Sequence, residues 1–262
     1  MAKNLKLNCL RGQTNWADIA LSLLCLPALL WGDFIAFAQQ ETSQYGLGLQ
    51  LQQRGSLHAS RNYCITAIAP KDGGRTLSHQ PTLYFYLSKN KTERNIFISA
   101  LRITLQLEEG KSVLRFRVKV ENLAEGLYKI ALPVDNFPNL NRKIQHWRLN
   151  GIDTESLDLE DAFAYVQQGS NENVLKEIQP TSTILDKAHI YAKYYYWYDA
   201  FDAYSQWLQQ NPKDAVARRE REKMLQENLS SRCVDVYKFS SFEKLLKEID
   251  VKPAKAIALV KK

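Results

Sequence analysis

The chain has 262 residues, 45% of them hydrophobic and 24% charged, with 35 Lys+Arg against 28 Asp+Glu and a net charge of +7. That balance excludes a long disordered chain, a collagen-like repeat and a polytopic membrane protein. With 11 Gly and 8 Pro a long flexible linker is not expected, and the length suffices for one large domain or two small ones.

Residues 1–38 have the layout of a signal peptide. Lys3, Lys6 and Arg11 make a positive leading region, and Ile19–Trp31 is an apolar run broken only by Ser22. The run is too short to span about 30 Å of hydrocarbon, and Pro27 weakens a spanning helix further. Ala36-Phe37-Ala38 then supplies the small-x-small pattern of a cleavage site, so a mature chain starting at Gln39 is expected. Export places the protein in the periplasm or outside the cell, without a transmembrane helix in the mature chain. Cys9 and Cys25 would leave with the leader. Cys64 and Cys233 remain, either as one disulfide closing a very long loop or as two buried thiols.

Residues 39–62 are polar, with Gly46, Gly48 and Gly55, and read as an extended, mobile arm. From 63 to 150 the pattern is β. Cys64–Ala69 stops at Pro70, Lys71–Gly74 is a turn, and Thr82–Leu87 alternates Leu83, Phe85 and Leu87 against Thr82, Tyr84 and Tyr86. Asn95–Glu108 changes phase near Ala100, which predicts a bulge or bend. Ser112–Glu121 sets Leu114, Phe116, Val118 and Val120 inward and Arg115, Arg117 and Lys119 outward; Leu127–Leu132 and Ile144–Leu149 complete about six strands. One wet face per strand predicts an antiparallel β-sandwich.

Residues 151–182 are read as a connecting segment. It holds the acidic run Asp153, Glu155, Asp158, Glu160 and Asp161, which lacks the glycine and spacing of a calcium-binding hand. A helical domain follows over 183–249. Thr183 is its expected cap, with Asp186 three residues on. Ile184–Gln210 is predicted as one aromatic-rich helix, broken at Asn211–Asp214 with Pro212 opening the next; Ala215–Leu229 and Phe239–Ile249 are two more, and 250–262 form a basic tail. The first two helices have the small and large positions of a single tetratricopeptide unit: Ala188, Tyr191, Tyr198, Ala200, Ala203, Tyr204, Leu208 and Pro212. The fold class is therefore α+β, a sandwich followed by a helical hairpin that must dock, most simply on the β domain.

Four features occur in order: the leader, Ile65–Pro70, Gln80–Tyr86, and Trp197–Ala200 with Asn211–Asp214. Together they resemble a cyanobacterial family of secreted proteins called domain of unknown function 928, over roughly residues 60–230. The resemblance implies export and this domain order, and no reaction. The chain departs from the family at Trp147–Gly151, which has no Cys where members commonly carry one; that weighs against a family-type disulfide from Cys64.

Motifs for chemistry are missing from the sequence. His58, His79, His146 and His189 stand at no metal-ligand spacing, and two isolated cysteines supply too few ligands for structural zinc. There is no nucleophile elbow, phosphate loop or dinucleotide fingerprint. No catalytic residue, metal or cofactor is expected, and no nucleic acid partner. The candidate partner-binding residues are Tyr194, Trp197, Tyr198, Phe201, Tyr204 and Trp207, because Tyr and Trp join large apolar area to a polar tip. They point to an envelope protein or peptide. The alternative is a carbohydrate-binding sandwich using Tyr84 and Tyr86, and a hydrolase of an envelope polymer is a third reading. The positive excess over 213–262 suits weak attraction to an anionic polymer.

Overall fold

The computed structural model describes residues 44–49, 63–89, 100–107, 112–119, 123–131, 143–152, 158–180, 183–228, 239–251 and 253–257. All of them belong to one compact unit, residues 42–262. The leader, much of the arm and Cys233 lie outside the described residues, as does the side chain of Cys64.

Among the described residues nine strands form two sheets. The first sheet has the order β1 (Tyr63–Ile68), β3 (Thr82–Lys89), β6 (Gly126–Ala131), β9 (Lys255–Ile257). The second runs β2 (Gly74–Thr76), β8 (Asp158–Gln168), β7 (Ile144–Ile152), β4 (Ala100–Leu107), β5 (Ser112–Lys119). Ladders between the long strands are antiparallel, with Ile68 opposite Tyr84, Leu83 opposite Ile130 and Leu105 opposite Trp147. An all-antiparallel arrangement does not hold at two edges. β2 runs parallel to β8, and β9 runs parallel to β6. Each is three residues long and is delivered by a turn or a helix rather than by a hairpin.

The segment expected to connect the two halves contains a central strand and a helix. β8 alternates buried Ala162, Ala164 and Val166 with half-exposed Phe163, Tyr165 and Gln167, and it joins β2 to β7. Helix α1 (Glu172–Ile178) follows, capped by Asn171, whose side chain accepts from the amides of Asn173 and Val174.

The aromatic-rich stretch is two helices, α2 (Ile184–Lys193) and α3 (Trp197–Gln210). Thr183 caps α2 by accepting from the Asp186 amide at 3.0 Å. Between them Tyr195 takes φ +63, the left-handed conformation that usually closes a helix on glycine. The amides of Tyr195 and Tyr196 turn back to the carbonyls of Ala192 and Tyr191. α4 (Ala215–Asn228) is capped by Asp214, which accepts from the amides of Val216 and Ala217, so Pro212 lies in the turn and not at the first helical position. α5 (Phe239–Val251) precedes β9.

Helices and sheets share one hydrophobic core. β3 is buried on both faces: Leu83, Phe85 and Leu87 on one, Tyr84 and Tyr86 on the other. Phe85 stacks on Tyr128 of the neighbouring strand, while Tyr84 meets Phe201 of α3 edge-on. α3 therefore packs on Thr82 and Tyr84, on the strand face that the alternation assigns to water.

Candidate interaction surface

α3 carries two carboxylates three residues apart, hence on one face. Asp199 accepts from the Leu77 amide at 2.8 Å and the Thr76 hydroxyl at 3.2 Å. Asp202 accepts from the Tyr84 hydroxyl at 2.5 Å, the Thr82 hydroxyl at 3.3 Å and the Gln206 amide group at 2.8 Å. Burial pushes the Asp199 carboxyl up to about 6, outweighing the amide and hydroxyl bonds that favour its charged form. Burial and the neighbouring Asp202 likewise raise the Tyr84 phenol well above its usual range. Tyr198 completes the attachment. Its hydroxyl accepts from Trp147 Nε1 at 3.1 Å and donates to the Tyr165 carbonyl at 2.9 Å, tying α3 to β7 and β8.

These bonds draw on two of the four features that carried the family resemblance. Trp197–Ala200 supplies Tyr198 and Asp199, and Gln80–Tyr86 supplies Thr82 and Tyr84. Their physical role is to hold the helical layer on the sheets. Polar groups taken out of water need such partners, and these have them.

Of the six residues expected to bind a partner, Trp197, Tyr198, Phe201 and Tyr204 are buried core side chains. Trp197 and Phe201 stack with centroids 5.0 Å apart, and Tyr204 packs edge-on against His189. The remaining two are half-buried. Trp207 donates Nε1 to Asp214 at 2.8 Å, and Tyr194 donates its hydroxyl to Glu177, which also pairs with Lys193 at 3.0 Å. The alternative glycan residues fare no better as a surface, since Tyr84 is 1% and Tyr86 2% exposed. α3 is covered on more than one side, so an aromatic girdle spread around it becomes packing rather than a contact face.

What the sequence reading missed is the apolar area left outside. Among the described residues the exposed large hydrophobic side chains are Leu175 (49%), Tyr195 (41%) and Val216 (60%). They lie on α1, on the α2–α3 turn and on α4, and none is on a sheet. Only Tyr195 had a signal to find: a bulky residue next to a helix end without glycine. Of the histidines, His79 bonds Gln168 through Nδ1 at 2.8 Å, and His146 stacks on Tyr165. Among the described residues no group of three or more His, Cys, Asp or Glu could hold a metal ion, and no helix is long and apolar enough to cross a membrane.

The family described as Domain of Unknown Function (DUF928) matches residues 50–234. No curated protein matches the chain. Among solved structures, a Bacteroides uniformis beta-glucuronidase is similar over 40% of this chain at 10% identity, with a TM-score of 0.26. The similar part spans 13% of that protein's length, and at this level the likeness carries no argument.

Proposed function

The chain belongs to the DUF928 family, and from that premise, which names no reaction, we propose an exported, non-catalytic binding or scaffolding module of the cell envelope. In this reading the tetratricopeptide-like hairpin expected of 184–210 and Ala215–Leu229 is carried instead by α2 and α3, because 184–210 is two helices; it is mounted on a two-sheet sandwich, and the helical layer meets an envelope protein or peptide. One observation carries it. The exposed apolar side chains of the described residues, Leu175, Tyr195 and Val216, all sit on the helical layer, while α3 of that layer is held to the sheets by its carboxylates and Tyr198. Isolated exposed apolar groups are ordinary; their restriction to one layer is what favours contact there. Export is supported by the leader pattern of residues 1–38.

The test uses the full chain immobilised against an envelope fraction. Wild type should retain a discrete partner, and the double variant Leu175→Asp, Val216→Asp should lose it by about tenfold or more, a difference of about 1.4 kcal/mol. Arg117→Glu, an exposed change on β5, should leave retention unaltered. Equal retention by wild type and the double variant would end this assignment. Intact-mass measurement checks export separately: a mature N-terminus at Gln39 is expected, and a full-length product would contradict it.

A further inference from the structure

The second sheet, β2-β8-β7-β4-β5, gives one of its faces to the common core. From that inner face the core takes Leu101, Ile103, Trp147, Leu149, Ala164 and Val166. Alternation therefore sends Arg102 of β4, Arg148 of β7, and Phe163 and Tyr165 of β8 to the outer face. All four are exposed or half-exposed. The β2 edge of this sheet is closed by residues 44–49, which the sequence placed in a mobile arm. Gly46 bridges Gly74 there, and Tyr45 is buried against Tyr195.

Toward β5 the register sets basic residues of three strands side by side. Arg117 of β5, an exposed residue, is directly opposite Arg102. Thr104 has Arg115 as its partner on one side and the exposed Arg148 on the other. Lys119 pairs with Ala100 at the end of the ladder. Two acidic residues, Asp161 opposite Asn150 and Asp158 opposite Ile152, stand across the sheet on β8. Like charges directly opposite one another destabilise a sheet. On β5 they would serve to keep an edge strand from pairing. Arg102 and Arg148 lie on interior strands, where edge protection gains nothing. Each keeps an interaction within the chain, and a guanidinium with five donors can hold such a neighbour and an outside carboxylate together. Beside the arginines runs a strip of rings. His146 lies between Phe163 and Tyr165, edge-on to the first at 5.4 Å and stacked on the second at 5.0 Å. Phe163 is the register partner of Arg148. Half-exposed apolar rings thus adjoin concentrated positive charge.

We propose that the outer face of β8, β7, β4 and β5 binds an acidic polysaccharide, its carboxylates held by Arg102, Arg117 and Arg148 and its sugar rings laid on Phe163, His146 and Tyr165. Guanidinium forks match carboxylates in two parallel bonds, and aromatic faces offer flat apolar area to a ring. A chain of sugar rings that carry carboxylates complements both features. An anionic lipid surface or a simple acidic polypeptide supplies the charge without the rings. This surface is separate from the helical layer, so it stands or falls independently of the partner expected there. The Leu175 and Val216 variants address that layer, and reversal of the arginines addresses this face.

The probe is polygalacturonate, titrated calorimetrically into the full-length chain. Saturable binding that weakens as salt is added is expected. The double reversal Arg117→Glu, Arg148→Glu should weaken it by about tenfold or more. Lys213→Glu, Arg219→Glu makes the same change in net charge at exposed positions on α4 and the turn before it, and should shift affinity by about twofold at most. Methyl-esterified polygalacturonate keeps the rings and loses the charge; polyglutamate keeps the charge and lacks the rings. Each should bind about tenfold or more weaker than polygalacturonate, and so should vesicles of phosphatidylglycerol. Equal weakening by the two double reversals, or equal binding of any of these three competitors, would reduce the face to unspecific attraction and overturn the proposal, as would no binding of polygalacturonate. If the arginine reversal does not fold, phenylglyoxal labelling of wild type decides. Polygalacturonate should slow modification of Arg117 and Arg148 by about tenfold or more and leave Arg219 unprotected. Equal protection of all three, or of none, overturns the proposal.

Discussion

Asp199 is a carboxyl with two donors, the Leu77 amide and the Thr76 hydroxyl, and too little water. Its raised value, about 6 against an ordinary 3.8, means the folded chain binds its proton more tightly than the unfolded chain does. The sign follows from linkage: this group contributes most to stability below about pH 4, and the contribution is lost as the pH rises through about 6, on the order of 2–3 kcal/mol in all. Asp199→Asn removes the titration and leaves one acceptor where there were two. With Oδ1 kept on the Leu77 N–H, an NH2 replaces the oxygen that accepts from the Thr76 hydroxyl, and a loss of about 1–3 kcal/mol is expected near pH 4. Urea titrations of both proteins at pH 4 and pH 7 check this: the gap in favour of wild type should narrow toward pH 7. Tyr198→Phe is a cleaner deletion. It leaves Trp147 Nε1 and the Tyr165 carbonyl without their partner and opens no cavity, so a loss of about 1–3 kcal/mol without change in the denaturant slope is expected.

At the scale of elements, the strands with strong alternation were legible. Thr82–Leu87 and Ser112–Glu121 announce themselves because branched and aromatic residues alternate with polar ones, and β3 and β5 fall there. β8 was not legible. Its buried face is Ala162, Ala164 and Val166, and alanine signals helix rather than strand. Its acidic start disguises it further as a solvated connector. The α2–α3 break was equally hidden, since no Gly, Pro or Asn marks it and Tyr195 occupies the left-handed position itself. The candidate surface failed for a related reason: periodicity shows which residues can share a face, not how many faces are covered. A left-handed tyrosine costs about 1–2 kcal/mol, offset in part by its edge contact with Tyr45, about 0.5–1.5 kcal/mol. Tyr195→Gly should therefore change thermal stability little in wild type. In a Tyr45→Ala background the same substitution should raise stability by up to about 1 kcal/mol, read as a positive coupling in a double-mutant cycle.

For the whole molecule, the consequential arrangement is that α3 belongs to the core of the sheets as much as to the helices. Its buried face contacts β2 and β3 and reaches β7 and β8 through Tyr198. The two halves read from the sequence as separate domains thus share one hydrophobic interior, and damage to α3 should unfold both. Trp197→Ala deletes an indole that is buried and stacked on Phe201, so a loss of about 3–5 kcal/mol is expected. Far-ultraviolet circular dichroism and tryptophan fluorescence should report this loss in a single transition, with helix and sheet signals coinciding. Two separated transitions, with sheet signal surviving after the helical signal is lost, would show that the β part stands alone. The outcome also governs how binding data are interpreted. A partner lost on Trp197→Ala says nothing about a contact face, because the side chain holds the scaffold. A partner lost on Val216→Asp, a surface change expected to alter stability by no more than about 0.5 kcal/mol, locates the contact itself.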